Sequence, residues 1–448
     1  MENNDDIKFL NRKDPNEKGE FIGVLIKRDF RFDESKIFIE AVNLAKKQNK
    51  KIVVFVFVNK TLIEGKTSVR PHELSPIFPN LRQLDILTKV TYNFENELKK
   101  HGIPLIIVDS LDKILSYSLY CVLTDFKPLN YAMKIDSKIS KFPYKVLQID
   151  AHNIVPCWIA SSHAEYQART LRIKLEKLKS KYLVKLVTPE FKQKTSLKSN
   201  VSIIKKYLDR VDHSIKPIDI EITTASAKST LNHFLKYKIK SYDKNRNDAN
   251  IEFTSKMSVF YNYGVISRQN IVFALSKSNS ANVKKYIDEL WVRNSLADNF
   301  CYFKRNYNSI DSGWDWSRAL TKKVLGKKRK YSLKQLHNSE TDDDLWNACQ
   351  TTWREKGLLH GYLRMFWAKK IVEWVTNYQE ALHMANYLNN AQSIDGYDSN
   401  SYTGNAWSII GVHDRPFFGK IRPMKPKLKD YTKFLENASK IKSLNKVK

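Results

Sequence analysis

Apolar residues fall in two different rhythms along this chain, and the rhythm changes near its middle. In the first half, short apolar blocks alternate with amphipathic stretches. Residues 21–26, 51–58, 104–109, 121–124 and 146–149 read as strands, with helices over 34–48 and 81–101 between them. Strands separated by helices imply βαβ units and a mostly parallel sheet, because a parallel pair needs a long crossover. Residues 1–20 are polar and are expected to be disordered, whereas 162–181 reads as a basic amphipathic helix. Residues 186–225, with scattered Lys, Ser, Thr and Pro, read as a linker. From Ser226 onward the period becomes helical, with helices expected over 227–238, 267–276, 281–300, 342–356, 361–377 and 380–389. The predicted organisation is an α/β domain (21–185), a linker (186–225), an all-α domain (226–424) and a basic tail (425–448).

Composition narrows the class. With 448 residues and 42% hydrophobic content, the chain can bury a substantial core. Its longest purely apolar run, 52–58, is far too short to cross a bilayer. The acidic, polar start is neither a secretory signal nor a transit peptide, so an intracellular, cytoplasmic or nuclear, protein is expected. Cys121, Cys157, Cys301 and Cys349 lie far apart without Cys-x-x-Cys spacing, which suits reduced, packed thiols. The net charge of +30 favours a polyanionic partner, nucleic acid before an anionic membrane surface. Part of that excess reflects a general richness in Lys, Asn and Ile. The tail carries eight Lys against Asp430 and Glu436 and reads as a solvated segment sooner than a DNA-grazing one.

Candidate chemistry is at first thin. No Gly-x-Gly-x-x-Gly follows the first strand, no Walker loop occurs, and the His residues do not cluster at metal-ligand spacing. What stands out is Trp346, Trp367, Trp374 and Trp407 among Arg, Asn and Asp. The first three are separated by close to whole numbers of helical turns, so they form either a packing stripe or an electron path. Arg364 lies on the Trp367 side of its helix and needs carboxylates or a ligand's acceptors. The polar loop 388–407, with Asp395, Asp398 and Asn400, is either a connector or a cation loop without EF-hand spacing.

These residues carry a resemblance. Asp343-Asp344-Leu345-Trp346-Asn347-Ala348, His360-Gly361-Tyr362-Leu363-Arg364-Met365-Phe366-Trp367-Ala368-Lys369-Lys370, Leu388-Asn389, Asp395-Gly396, Trp407-Ser408-Ile409 and Gly411-Val412-His413-Asp414 resemble the class II DNA photolyases. So do Thr124-Asp125-Phe126-Lys127-Pro128-Leu129, Asp150 to Pro156, Tyr166 to Thr170, Glu289 to Arg293 and Leu296 to Phe300. The resemblance runs from about residue 21 to 422, with several motifs in order.

It implies an N-terminal α/β domain joined by a long linker to a helical domain that holds FAD, and light-driven repair of cyclobutane pyrimidine dimers in double-stranded DNA. By the same resemblance Tyr242, Ser255 and Ser258 bind the phosphate and ribitol side of the flavin. Arg364 and Asp414 pair beside its ring, Asp395 and Asp398 lie around flavin and adenine, and Asn389 faces N5, favouring a reduced, anionic flavin. Trp367, Trp346 and Trp374, in that order from the flavin, form an electron relay. Glu289 and Met365 line the lesion pocket, while Arg293, Trp407 and Arg422 face DNA. A monomer is expected, with no membrane partner. A second, antenna chromophore is possible within the family, but its identity is not assigned.

The chain also departs from the pattern. Ser255 to Gly264 lacks the usual Pro and His, Asn390 replaces an Asp, Asn294 replaces the second Arg of a Val-Arg-Arg motif, and Lys27 to Arg31 replaces a more aromatic run. Two rival readings stand beside repair: a cryptochrome-like photoreceptor of the same fold, and a basic DNA-binding protein without catalysis.

Overall fold

The computed structural model describes residues 5–59, 80–322, 328–411 and 428–446. Its first half is built on a six-stranded sheet in the order β1-β6-β5-β2-β3-β4. The strands are β1 (Ile7–Phe9), β2 (Phe21–Ile26), β3 (Lys51–Phe57), β4 (Leu105–Val108), β5 (Leu119–Asp125) and β6 (Val146–Ile149). All pairings are parallel except β1 with β6. Strands β2 and β5 are buried along their whole length, as near-continuous apolar runs are when helices cover both faces.

The N-terminal residues depart from expectation. Ile7 sits opposite Ile149 and Phe9 opposite Leu147, so the segment expected to be disordered closes the β6 edge of the sheet. Three residues in polar surroundings are too short a pattern to stand out. The linker is likewise anchored: Gln193 accepts from the backbone N–H of Ile52 at 2.7 Å and donates to its carbonyl at 2.8 Å.

The second half is helical, with breaks where the sequence suggested continuity. The stretch 281–300 becomes a helix Ala281–Ile287, a π-helical segment Asp288–Arg293 and a helix Asn294–Phe303. The stretch 361–377 becomes a helix Gly361–Ile371 and a 3-10 turn Val372–Trp374. The polar loop after Leu388 is largely helix: Tyr378–Gln392 runs through Asn389, and Ser399–Ile410 starts at the N-cap Asp398, whose side chain accepts from Asn400 N–H. The basic tail is no solvated segment over its described part. Its helix Thr432–Lys446 packs on the helix Asp344–Lys356, with Phe434 and Ala438, and Tyr431 just ahead of them, all buried. Those three positions are spaced for one helical face, with Lys433 and Lys440 exposed on the other side.

The two halves meet at the carboxyl ends of β2 and β5. Asp125 accepts from the backbone N–H groups of Lys27, Arg28 and Asp29 at 2.7, 2.8 and 2.9 Å. Arg28 crosses to Asp298 at 2.7 Å, both side chains fully buried, and Asn153 bridges Asp298 and Asp150 at 2.8 and 3.0 Å. Gly264 permits this closeness. Its φ is +58°, a Cβ there would lie 2.1 Å from Asp29 Oδ1, and its carbonyl accepts from Arg31 at 2.7 Å. The four cysteines are buried and free. Among the described residues no helix is long and apolar enough to cross a membrane.

Candidate active site

The helix Asp344–Lys356 starts at Asp343, whose side chain accepts from Trp346 N–H, and ends at Gly357 in the left-handed region. Between these caps Trp346, Gln350 and Trp353 share one face. The helix Gly361–Ile371 lays Trp367 against that face. The Trp346 and Trp367 rings lie 5.9 Å apart and nearly parallel, at 9°. Trp374, turned by the 3-10 segment, meets Trp346 edge-on at 5.2 Å, and Tyr331 lies beyond it at 5.1 Å. Trp346 and Trp367 are wholly buried and Trp374 is 4% exposed. Burying an indole demands a partner for its N–H. Trp346 donates to the Trp367 carbonyl and Trp367 to Gln350 Oε1, each at 3.0 Å. The three indoles thus form one contiguous column in the order Trp367, Trp346, Trp374.

Through Trp353, which touches Trp367 at 5.0 Å and the Arg364 guanidinium at 4.8 Å, the column reaches a charged pair. Arg364 donates through Nη2 to both carboxylate oxygens of Asp395 at 3.1 Å and through Nε to the Leu359 carbonyl at 3.0 Å. Burial works to raise the Asp395 carboxyl, but Arg364 and the hydroxyls of Ser258 and Ser393 outweigh it and hold the group below its ordinary value. Asp414, the partner expected for Arg364, lies outside the described residues, as does Arg422.

Asn389, two per cent exposed, comes from the last turns of the helix Tyr378–Gln392. Its Nδ2 donates to the Ser401 carbonyl at 3.4 Å, while its Oδ1 is buried without a hydrogen-bond partner among the described residues. Asp398 caps the next helix through one oxygen, and its Oδ1 is buried and equally unpaired. Ser258 opens the helix Ser258–Asn262, which Asn262 ties to the Gly396 carbonyl at 2.9 Å. Ser255 lies just before it, half-buried, next to Lys256 at φ +57°.

A second group forms around Arg246, which sequence reasoning passed over. Its Nη1 pairs with Glu289 at 2.7 Å and its guanidinium lies 5.8 Å from the ring of the buried Tyr242. Glu289 therefore pairs with Arg246 and not with Arg293, the partner that helical spacing suggests. The π-helical segment shifts the register, and Arg293 turns to Asp288 at 3.5 Å and to the Trp407 ring at 5.7 Å. Trp407 is 38% exposed, and Met365 is half-buried. Trp353 and Gln350 were also missed. Their signal was their spacing from Trp346, seven and four residues on, which places all three on one helical face.

No family model matches the chain. Among solved structures it is similar to a Synechocystis cryptochrome (TM-score 0.71, 12% identity, 94% of this chain and 87% of that one). It is also similar to a class III photolyase from Agrobacterium tumefaciens (TM-score 0.69, 15% identity, 95% and 86%). The architecture is therefore the photolyase/cryptochrome fold. Closer in sequence are deoxyribodipyrimidine photo-lyases, at 33% identity over 381 residues in Potorous tridactylus (78% of this chain, 71% of the relative). The Arabidopsis thaliana protein of that name is 32% identical over 428 residues (89% and 84%). The chain belongs to the deoxyribodipyrimidine photo-lyase family, in its class II branch.

Proposed function

We propose that this protein is a light-driven lyase that splits cyclobutane pyrimidine dimers in double-stranded DNA with FAD as its cofactor. The observation that carries the reading is the buried column Trp367–Trp346–Trp374, which ends one residue contact away from the Arg364–Asp395 pair. The residues fit a flavin. Asn389 Oδ1 is a buried acceptor without a donor, and Asp398 Oδ1 is another. Arg364, Asp395 and Asn389 would hold the ring, Asp398 the adenine side, and Tyr242, Ser255 and Ser258 the phosphates and ribitol, with Asp414 as a further carboxylate. Bound and reduced, FAD supplies the light-driven electron that opens the cyclobutane ring and is returned afterwards, so the net reaction is a lyase reaction.

The chain's own residues do the rest. Trp374, Trp346 and Trp367 pass electrons inward toward the cofactor pocket and so restore its reduced state. Asn389 offers an acceptor that favours the reduced ring. The surplus positive charge neutralises DNA phosphates and gives salt-dependent affinity. The dimer is extruded from the duplex, photolyases being an established example of enzymes that flip their target base, at a cost of a few kcal/mol that is least for a lesion already poorly stacked. Glu289 and Met365 line the lesion pocket, while Arg293, Trp407 and Arg422 meet the DNA. The protein works as a monomer, and a second chromophore is not assigned.

The test is to purify the protein, record its flavin spectrum and illuminate it with dimer-containing DNA. Bound FAD with loss of dimers is expected. Bound FAD without repair would favour a photoreceptor, and absence of FAD would leave a DNA-binding protein. Trp367→Phe is expected to abolish photoreduction of oxidised FAD while sparing repair by chemically reduced enzyme; unchanged photoreduction would refute the relay.

A further inference from the structure

Trp353 is a fourth indole in the column, wholly buried. It meets the edge of Trp367 at 5.0 Å and 71°, and its ring carries the Arg364 guanidinium at 4.8 Å. By centroid distance it lies no farther from Trp367 than Trp346 does, at 5.9 Å. An electron vacancy created on Trp367 therefore has two neighbours to move to.

Three observations separate these neighbours. The N–H of Trp346 donates to the Trp367 carbonyl, so the oxidised ring keeps an acceptor for its more acidic proton. The N–H of Trp353 is buried with no partner among the described residues, so neither its charge nor its proton has anywhere to settle. Next, a cation over an indole face favours the electron-rich, neutral ring and opposes its oxidation. Asp395 balances Arg364 overall, but the guanidinium is the end that faces Trp353. Trp374 also has a cation near its ring, Lys370 at 5.8 Å, but that ammonium is held by Glu373 at 2.8 Å and Asp343 at 3.2 Å. Finally, Trp346 leads on to Trp374 and Tyr331, whereas Trp367 is the one aromatic ring that Trp353 contacts among the described residues.

We propose that Trp353 is a closed branch of the relay, kept reduced by Arg364 and by its unpaired N–H, so that a vacancy on Trp367 leaves only through Trp346. The inference rests on reading Trp367, Trp346 and Trp374 as a relay. One electron moves at each step, from Trp346 to Trp367 and then from Trp374 to Trp346, and a thiol in solution refills Trp374.

The experiment is flash photolysis of the flavin-loaded protein with dithiothreitol present. It follows the transient absorbance of the tryptophan radical and the net photoreduction. Trp353→Phe should photoreduce within about twofold of the unaltered protein, and Trp346→Phe about tenfold more slowly or worse, although Trp353 still touches Trp367. The double variant Trp346→Phe/Trp353→Phe should then match Trp346→Phe in radical lifetime. The proposal is overturned if Trp346→Phe keeps more than about a third of the rate and loses it only when Trp353 is also replaced. It is equally overturned if Trp353→Phe alone falls about tenfold. If the unaltered protein binds FAD but gives no tryptophan radical, the relay reading itself fails, an outcome distinct from an open branch.

Discussion

Asn389 shows how much a single side chain can be asked to do. Its amide is anchored by one hydrogen bond from Nδ2, which aims the unpaired Oδ1 into the site. A hydrogen bond accepted there is worth about 1.4 kcal/mol, or about tenfold in an equilibrium constant. Asn389→Ala is therefore expected to speed aerobic reoxidation of the reduced flavin by about that factor. An unchanged rate would remove Asn389 from the cofactor's surroundings. His152 poses a different question, that of a buried base kept neutral. Arg268 donates to its Nε2 at 3.0 Å, and burial, followed by the charges of Arg28 and Arg268, holds its pKa well below 6.5. Below about pH 6.5 the unfolded chain takes up a proton that the folded one refuses, so this residue makes stability fall with falling pH. Its slope is at most about 1.4 kcal/mol per pH unit. Urea unfolding of His152→Gln at pH 7.5 and 5.5 should show a smaller loss than the unaltered protein; equal losses would mean that His152 is not the titrating group.

At the scale of elements, what the sequence disclosed depended on how periodic each segment was. The strands β2 and β3 lie where the apolar runs put them, because a strand buried on both faces has no polar interruption to confuse its reading, and β6 does so despite its buried Gln148. β5 extends past the predicted stretch at both ends. The helix around Trp346 was equally legible, and the one around Trp367 in its start but not in its break after Ile371. Three features were not, each for a physical reason. The Ser399–Ile410 helix is rich in Ser, Asn, Thr and Gly, residues of poor helix propensity, and it forms because packing buries most of its length. The π-helical segment at Asp288–Arg293 changes register without any marker in the sequence, and with it the partner of Glu289 changes from Arg293 to Arg246. The Thr432–Lys446 helix hides its buried Phe434 and Ala438 in a lysine-rich sequence. That helix covers the element that carries Trp346 and Trp353. Phe434→Ala should cost about 3 kcal/mol in urea unfolding and shift tryptophan emission to longer wavelength. A variant as stable as the parent would show that the helix merely lies on the surface.

The molecule as a whole carries a net charge of +30, which acts at long range and is the electrostatic footprint expected of a protein that neutralises phosphates. Arg293, over Trp407 and beside Asp288, is the proposed contact at the rim. Arg293→Ala should lower affinity for damaged and undamaged duplex alike and reduce the slope of log affinity against log salt by about one. A loss confined to damaged DNA would assign Arg293 to the lesion instead. A separate feature, the buried Arg28–Asp298 bridge between the sheet and the helices, ties the two halves together. Breaking one partner of such a pair leaves a buried charge uncompensated, at about 3–5 kcal/mol. This rigidity also has an optical meaning. A pigment seated on the sheet would keep a constant distance from the flavin, and a constant angle between their transition dipoles. The efficiency of energy transfer between them would then be a property of the fold, set by Arg28 and Asp298, and not of a swinging linker.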